Sequence, residues 1–331
     1  MLEGFIGDFA FVMADSQNLR GPYRFAVATS GCIVLLLMAG ALVTSNNAAD
    51  SVPDWPLAYG RLIPPLVGGI RFEYAHRVIA GIVSILTLVL AVWLARAARR
   101  PLARRLGWLA LLLVIAQAVL GGVRVLEGHP ALSATAHAVL AQVFFITVVG
   151  LAMYLSPWWQ RELPLLNDTG SPPARSLAFW TTAAIVAQLI LGAAFRHGAF
   201  GIAPHLVGAG VVTVLVVWTG RIVKKRFREV RDLRLGVILL HSFFGIQILL
   251  GGAAYWAVLS AGDSFQPTVL YVSLTVAHVL GGALTLAASL ILTLSCFRLI
   301  RPAALATASS SVAPSRAGRS RAEGTPGRAG V

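Results

Sequence analysis

Cysteine is almost missing from the 331 residues. Cys32 and Cys296 are the only two; both fall in apolar stretches and neither forms a CxxC pair, which excludes a disulfide framework and a thiolate metal cage. Charge is short as well. Asp, Glu, Lys and Arg make up 12% of the chain, about half the share of a soluble domain. Acids are the scarcer sign, 13 against 27 bases. No RNA- or DNA-binding motif accompanies the resulting charge of +14, so the basic balance by itself does not make a nucleic-acid partner.

What fills the chain is hydrocarbon. Of the residues, 57% are hydrophobic, and apolar runs of about 20 residues recur, each long enough to cross a bilayer. The runs predict transmembrane helices at 25–44, 71–95, 106–126, 133–155, 176–195, 203–222, 235–257 and 270–297. Lys and Arg concentrate beside them in RAARRPLARR (96–105), RIVKKRFREVRDLR (221–234) and the residues after Phe297. Only Arg61, Arg71, Arg77, Arg124 and Arg196 fall on the opposite side, leaving 22 on the basic side. Basic loops stay in the cytoplasm, which predicts that both termini are cytoplasmic. The first 24 residues have no basic region leading an apolar core, so they do not read as a secretory signal. Glu3, Asp8 and Asp15 make them too acidic for a mitochondrial presequence. A bacterial plasma membrane is the expected location.

The spans repeat. AQAVLGG (116–122), AQLILGA (187–193) and IQILLGG (246–252) close the third, fifth and seventh spans, with a looser LLMAGAL (36–42) closing the first. The glycines themselves read as packing residues that let helices approach closely in lipid. Their regular placement predicts four helical hairpins: an all-α polytopic membrane protein whose eight transmembrane helices form two pseudo-symmetric four-helix bundles. The expected divisions are a cytoplasmic segment 1–24, a first half 25–155, a polar proline-rich linker 156–175, a second half 176–297 and a disordered basic tail 298–331.

Seven histidines are present. His76, His137, His205 and His278 each lie a few residues inside an even-numbered span, one per hairpin and two per half. A single such imidazole is often structural, bonded to a neighbouring carbonyl. Four at matching places point to metal ligation. Without thiolates or His-x3-His spacing zinc is disfavoured, and two distant histidines facing each other suit the axial positions of a haem iron held within a four-helix bundle. One haem site per half is expected. His129 and His197 read as solvated loop residues that could line a pocket mouth, and His241 as a packing or hydrogen-bonding residue.

In IRFEYAHRVIAG (70–81), Glu73 precedes His76 by three positions and Arg77 by four, so the three share a helix face. Two readings stay open. An intrahelical Glu73–Arg77 ion pair would make the charges tolerable in lipid. Alternatively Arg77 grips a haem propionate and leaves Glu73 beside the porphyrin edge to move protons or position water. The other three histidines have no such acid before them.

FEYAHR with DWPLAYG (54–60), GALVTS (40–45), LGGVRVLEG (120–128) followed by His137, and AHVLGGAL (277–284) together resemble the haem A synthase family across residues 25–297. The resemblance implies an eight-helix membrane enzyme that oxidises a methyl group of haem O to the formyl group of haem A. It implies that His76 and His137 bracket the substrate haem, that His205 and His278 ligate an electron-transferring haem b, and that Glu73 is the catalytic acid as water supplies the oxygen. Some members carry two loop cysteines where Val52 and Ala58 stand here, so the chain resembles the type that lacks that pair. Expected partners are haem O, the bilayer, a haem O synthase and an unidentified electron-transfer partner. The competing expectations are a dihaem b-type cytochrome that carries electrons without modifying haem, and a transporter; the spans lack the Gly/Pro-broken segments a transporter needs.

Overall fold

The computed structural model describes residues 2–128, 130–261 and 267–301, with side chains from Leu19 onward. Nine helices are found among these residues: α1 (Leu2–Ser45), α2 (Ile70–Ala97), α3 (Pro101–Leu126), α4 (Ala131–Leu155), the short α5 (Pro157–Gln160), α6 (Ala174–Arg196), α7 (Ala203–Arg226), α8 (Arg231–Ala261) and α9 (Val269–Leu299). All but α5 carry a stretch long and apolar enough to cross a membrane, and the chain is a multi-pass membrane protein. In lipid each backbone polar group must be satisfied within the segment, which a helix does. Proline marks where several of them begin: Pro101 and Pro157 open α3 and α5, and Pro130 and Pro173 cap α4 and α6. A first-turn proline loses only an N–H that has no intrahelical partner.

The helices run slightly longer than the apolar runs predict. α1 is helical from Leu2, well before residue 25. α7 continues to Arg226 and α8 begins at Arg231. Hydropathy stops at the first basic side chain, but the helix does not, because long Arg and Lys stems can lie along apolar surface with the charge in water. α9 extends to Leu299, and Leu166 bridges Ile300 beyond it, accepting from Arg301 N at 2.9 Å. Residues 298–301 therefore belong to the ordered body rather than to a tail. The rest of the expected tail, and His129, lie outside the described residues.

Neighbouring helices pack as hairpins: α1 with α2, α3 with α4, α6 with α7, α8 with α9. Further contacts of α2 with α3 and α1 with α4 close one circuit of four; contacts of α7 with α8 and α6 with α9 close another. The two circuits meet where α1 and α4 touch α9 and α4 touches α6. α9 is the central span, its core window 67% buried. Ala283 and Ala287 of α9 sit in one apolar cluster with Ile33, Leu37, Phe144, Phe145 and Val148 of α1 and α4. Small residues at that face admit the bulky ones opposite, and close packing drives helix association in lipid. Hydroxyls add directional ties: Thr182 of α6 bonds Ser289 at 2.7 Å and Thr293 at 2.9 Å on α9.

At the basic end the connection between the circuits is structured. Asp168 is buried and accepts from the N–H groups of Gly170 and Ala174 and from Arg226, at 3.1, 2.7 and 3.0 Å. That places an acid at the first turn of α6, where its positive dipole end favours one.

Candidate functional site

The antiparallel hairpins put the N-terminal ends of α2, α4, α7 and α9 at one end of the bundle, and His76, His137, His205 and His278 lie within the first turns of those four helices. Each imidazole rests on a glycine of the preceding helix. A Cβ at Gly40 would stand 3.1 Å from Cε1 of His76, one at Gly121 3.2 Å from His137, one at Gly192 2.8 Å from His205 and one at Gly251 3.1 Å from His278. These are the glycines of the repeated motif. The sequence reads them as backbone packing; the structure makes four of them the floor under four rings. The signal was present as a repeated glycine motif in each span that precedes a histidine-bearing one, and only the pairing of helices gives it meaning.

The rings of His205 and His278 are neighbours in a T-shaped arrangement, with centroids 6.3 Å apart and planes at 88°. Two imidazole nitrogens each about 2 Å from one metal put the ring centroids about 6 Å apart, so this pair fits a shared iron. Nδ1 of His76, His137 and His278 is buried without a hydrogen-bond partner. A buried polar atom left unpaired calls for a partner, and at His76 and His137 the two residues are close enough to interact electrostatically. The spacing in the second circuit therefore fits porphyrin iron, and His76 and His137 offer two unpaired imidazole nitrogens in the first. His241 holds to its expectation as a bonding residue, its Nδ1 2.8 Å from Val237 O within its own helix. His197 does not hold to its own. It caps the C-terminus of α6 half-buried rather than solvated; burial, with Arg124 and Arg196 nearby, lowers it from 6.5 to about 4.

Glu73 is 5% exposed, and both of its carboxylate oxygens are engaged. Oε1 accepts from Nη2 of Arg77 at 2.6 Å and Oε2 from the N–H of Val52 at 3.0 Å. Arg77 donates in addition to the carbonyls of Asp54 and Leu57, both at 2.8 Å, and lies 3.5 Å from that of Val52. Of the two readings of this helix face, the structure forms the ion pair, and the guanidinium is spent on the loop rather than held free for a propionate. The loop in turn folds on itself: Oδ1 and Oδ2 of Asp54 accept from the N–H groups of Tyr59 (2.6 Å) and Gly60 (2.8 Å). Gly60 has a φ of +69°, a conformation that favours glycine. The indole of Trp55 lies on Gly122, where a Cβ would come within 2.6 Å of the ring. DWPLAYG is thus a cover strapped by Arg77 to α2 and pressed by Trp55 against α3, next to the glycine that supports His137. Arg124, one turn further along α3, interacts with Glu73, His76 and His137.

Val52 and Ala58, the positions where the resemblance places loop cysteines in some family members, are 0% and 2% exposed. Sequence reasoning treats Val52 as a missing thiol; its backbone N–H is what holds the acid.

Residues 69–204 match the family of cytochrome oxidase assembly proteins, a stretch that contains Glu73, His76 and His137 and ends one residue before His205. Proteins named "Heme A synthase" are similar. The one from Lysinibacillus sphaericus (strain C3-41) is 36% identical over 140 residues, 41% of this chain and 46% of that protein. The one from Halalkalibacterium halodurans is 34% identical over 132 residues, 39% and 42% of the two chains. The one from Symbiobacterium thermophilum is 26% identical over 259 residues, 68% and 83%. The matched stretch thus spans less than half the length of the first two relatives.

Proposed function

We propose, from the match of residues 69–204 to the cytochrome oxidase assembly family and the similarity to proteins named "Heme A synthase", that this chain is a haem A synthase, oxidising the methyl group of haem O to the formyl group of haem A within the membrane. The observation that carries the reading is the buried Glu73 one turn from His76, its carboxylate held by Arg77 and the Val52 N–H. A cytochrome that only carries electrons has no use for a fixed, dehydrated acid beside one of its ligands.

In this reading His76 and His137 hold the substrate haem under the DWPLAYG cover. His205 and His278 hold a haem b, which supplies one-electron chemistry when bound. Glu73 orders the water that delivers oxygen to the methyl carbon and takes up protons released there. Arg77 keeps that carboxylate aimed, and its bonds to the loop carbonyls couple the acid to the cover. The first half is the substrate site, the second the electron-transfer site, and residues 156–175 join them at the cytoplasmic side. Both termini are cytoplasmic, since Lys and Arg concentrate in the sequence at the connections after even-numbered spans and toward the two termini, and the membrane is a bacterial plasma membrane. Haem O arrives through the bilayer, with handover from a haem O synthase, and electrons leave to a separate partner.

The test is haem extraction and chromatography after co-expression with a haem O supply. The wild-type chain accumulates haem A. Glu73→Gln lowers conversion about a hundredfold or more while haem stays bound, and His278→Ala loses the haem b spectrum. Haem A output from Glu73→Gln at the wild-type level would refute the assignment. Absence of haem A from the wild type would favour the dihaem cytochrome, to which the neighbouring rings of His205 and His278 are equally suited.

A further inference from the structure

Between the DWPLAYG cover and α2 the chain reads RLIPPLVGGIR (61–71), an unbroken apolar run between two arginines. From Trp55 to Phe72 it carries no acid. Leu62, Ile63, Leu66 and Val67 are 56–81% exposed, and apolar side chains bared together mark an interaction surface. The run is held at both ends. Ala58 and Arg61 exchange backbone hydrogen bonds of 3.0 and 3.1 Å at its start. At its end Gly69 lies against Ser51, where a Cβ would collide with the hydroxyl. Between these points the N–H of Val67 donates to Pro65 O at 3.0 Å and that of Ile70 to Val67 O at 3.1 Å. Only Pro64 is buried within 61–68, so the four large side chains are left uncovered by the fold.

Depth says what covers them. α2 has 28 residues, about 42 Å at 1.5 Å per residue, against about 30 Å of hydrocarbon and about 40–45 Å with the headgroups. Its first residue, Ile70, therefore lies in the headgroup layer, and the run that leads into it starts at that level. The cover lies at that level too: Trp55 rests on Gly122, four residues, or about 6 Å, before the end of α3. Arg71, Ala75, Val78, Ile82 and Ile85 make one exposed stripe along α2, at the spacing of a single helix face. That stripe faces lipid, and Arg71 stands where it meets the headgroups. Trp55 and Tyr59 of the cover are exposed as well, and both residue types favour this interface.

We propose that residues 61–67 are a lipid anchor: Leu62, Ile63, Leu66 and Val67 enter the acyl chains of the leaflet at the histidine end, with Arg61 and Arg71 among the phosphates. Interfacial segments bury their apolar side chains about 5–10 Å into the boundary between headgroups and acyl chains, a depth these four reach from the headgroup layer. Cations without an acid match lipid phosphate, and the run leads directly into the lipid-facing stripe of α2. Arg77 straps the cover to α2 and Trp55 presses it on α3; the anchor adds a hold from the bilayer itself, whatever the histidines bind.

The experiment reads the depth of a single fluorescent label in the full-length protein, reconstituted in vesicles of phosphatidylcholine and phosphatidylglycerol. With Cys32→Ala and Cys296→Ala as background, an NBD label is placed on Ile63→Cys, and on Glu162→Cys in the exposed connection at the basic end. The label at position 63 emits blue-shifted light, is quenched by lipids carrying a nitroxide on the acyl chain and is spared by aqueous iodide; the label at position 162 shows the reverse. Leu66→Cys repeats the reading should Ile63→Cys fail to fold, with helicity by circular dichroism as the check. Adding Leu62→Asp and Val67→Asp to Ile63→Cys brings the label out to iodide and raises trypsin cleavage after Arg61; unchanged quenching there would count against the anchor. Quenching at position 63 by iodide and not by the acyl nitroxide would overturn it. So would shielding from both quenchers in native membranes that gives way to iodide in vesicles, the mark of a protein partner on this run.

Discussion

The N–H of Val52 and Oε2 of Glu73 meet at 3.0 Å across 21 residues of chain. This one bond makes the acid a joint property of α2 and the loop before it. Together with Arg77 it satisfies both oxygens of a carboxylate at the edge of a bilayer, where an unpaired charge costs several kcal/mol.

Breaking the ion pair from one side should cost more than removing it. Arg77→Met leaves Glu73 buried beside its remaining partner and frees the carbonyls of Asp54 and Leu57; the expected loss is about 3 kcal/mol. The double variant Glu73→Gln/Arg77→Met should recover part of that loss. Thermal unfolding in detergent measures both, and proteolysis within 52–61 should rise in the single variant first.

The glycine floor gives a contrast at constant chemistry. Gly192→Ala sets a methyl 2.8 Å from Cε1 of His205, while Gly245→Ala on α8 meets nothing within 4 Å. Bound haem b should fall about tenfold in the first variant, as for a displaced ligand, and stay at the wild-type level in the second. Equal haem content in both, read by pyridine haemochrome, would show that the ring is free to move.

Two groups outside the spans set the response to acid. The Gly60 N–H, with the Tyr59 N–H and the Arg77 charge adding to it, holds the Asp54 carboxyl below its ordinary 3.8. Its contribution to the loop is complete above pH 3.8 and is lost as pH falls through the lowered value. His197 sits at about 4 against an ordinary 6.5. Between those values the unfolded chain binds a proton that the folded chain does not, so stability is full above pH 6.5 and declines toward pH 4. Unfolding midpoints measured from pH 7 to pH 4 should fall in the wild type and fall less in His197→Gln.

At the basic end Asp168→Asn should destabilise the protein by about 1–2 kcal/mol, since the half-buried Arg226 loses its counter-charge and the N–H groups of Gly170 and Ala174 lose a charged acceptor. Haem content should be unchanged, because the residue lies at the end of the bundle away from the histidines; denaturation monitored by circular dichroism and by the Soret band separates the two effects.

Hydrophobic runs, basic loops and four histidines at matching offsets fixed eight spans, their hairpin order and the ligand candidates from the sequence alone. Length and polarity decide what crosses a bilayer, and both are local properties of the chain. Span ends were less legible, as at Arg226 and Leu299, because a helix outlasts its apolar run wherever long charged stems reach water. The choice between an ion pair and a free Arg77 could not be read from the order of residues, since helical spacing permits both. It was decided by where the loop carbonyls of Asp54 and Leu57 fall. The glycines under the four rings were in plain view in the repeated motif, yet which ring each one touches depends on which helix packs beside it. That is set by side-chain packing between segments far apart in the chain, and only the tertiary structure supplies it.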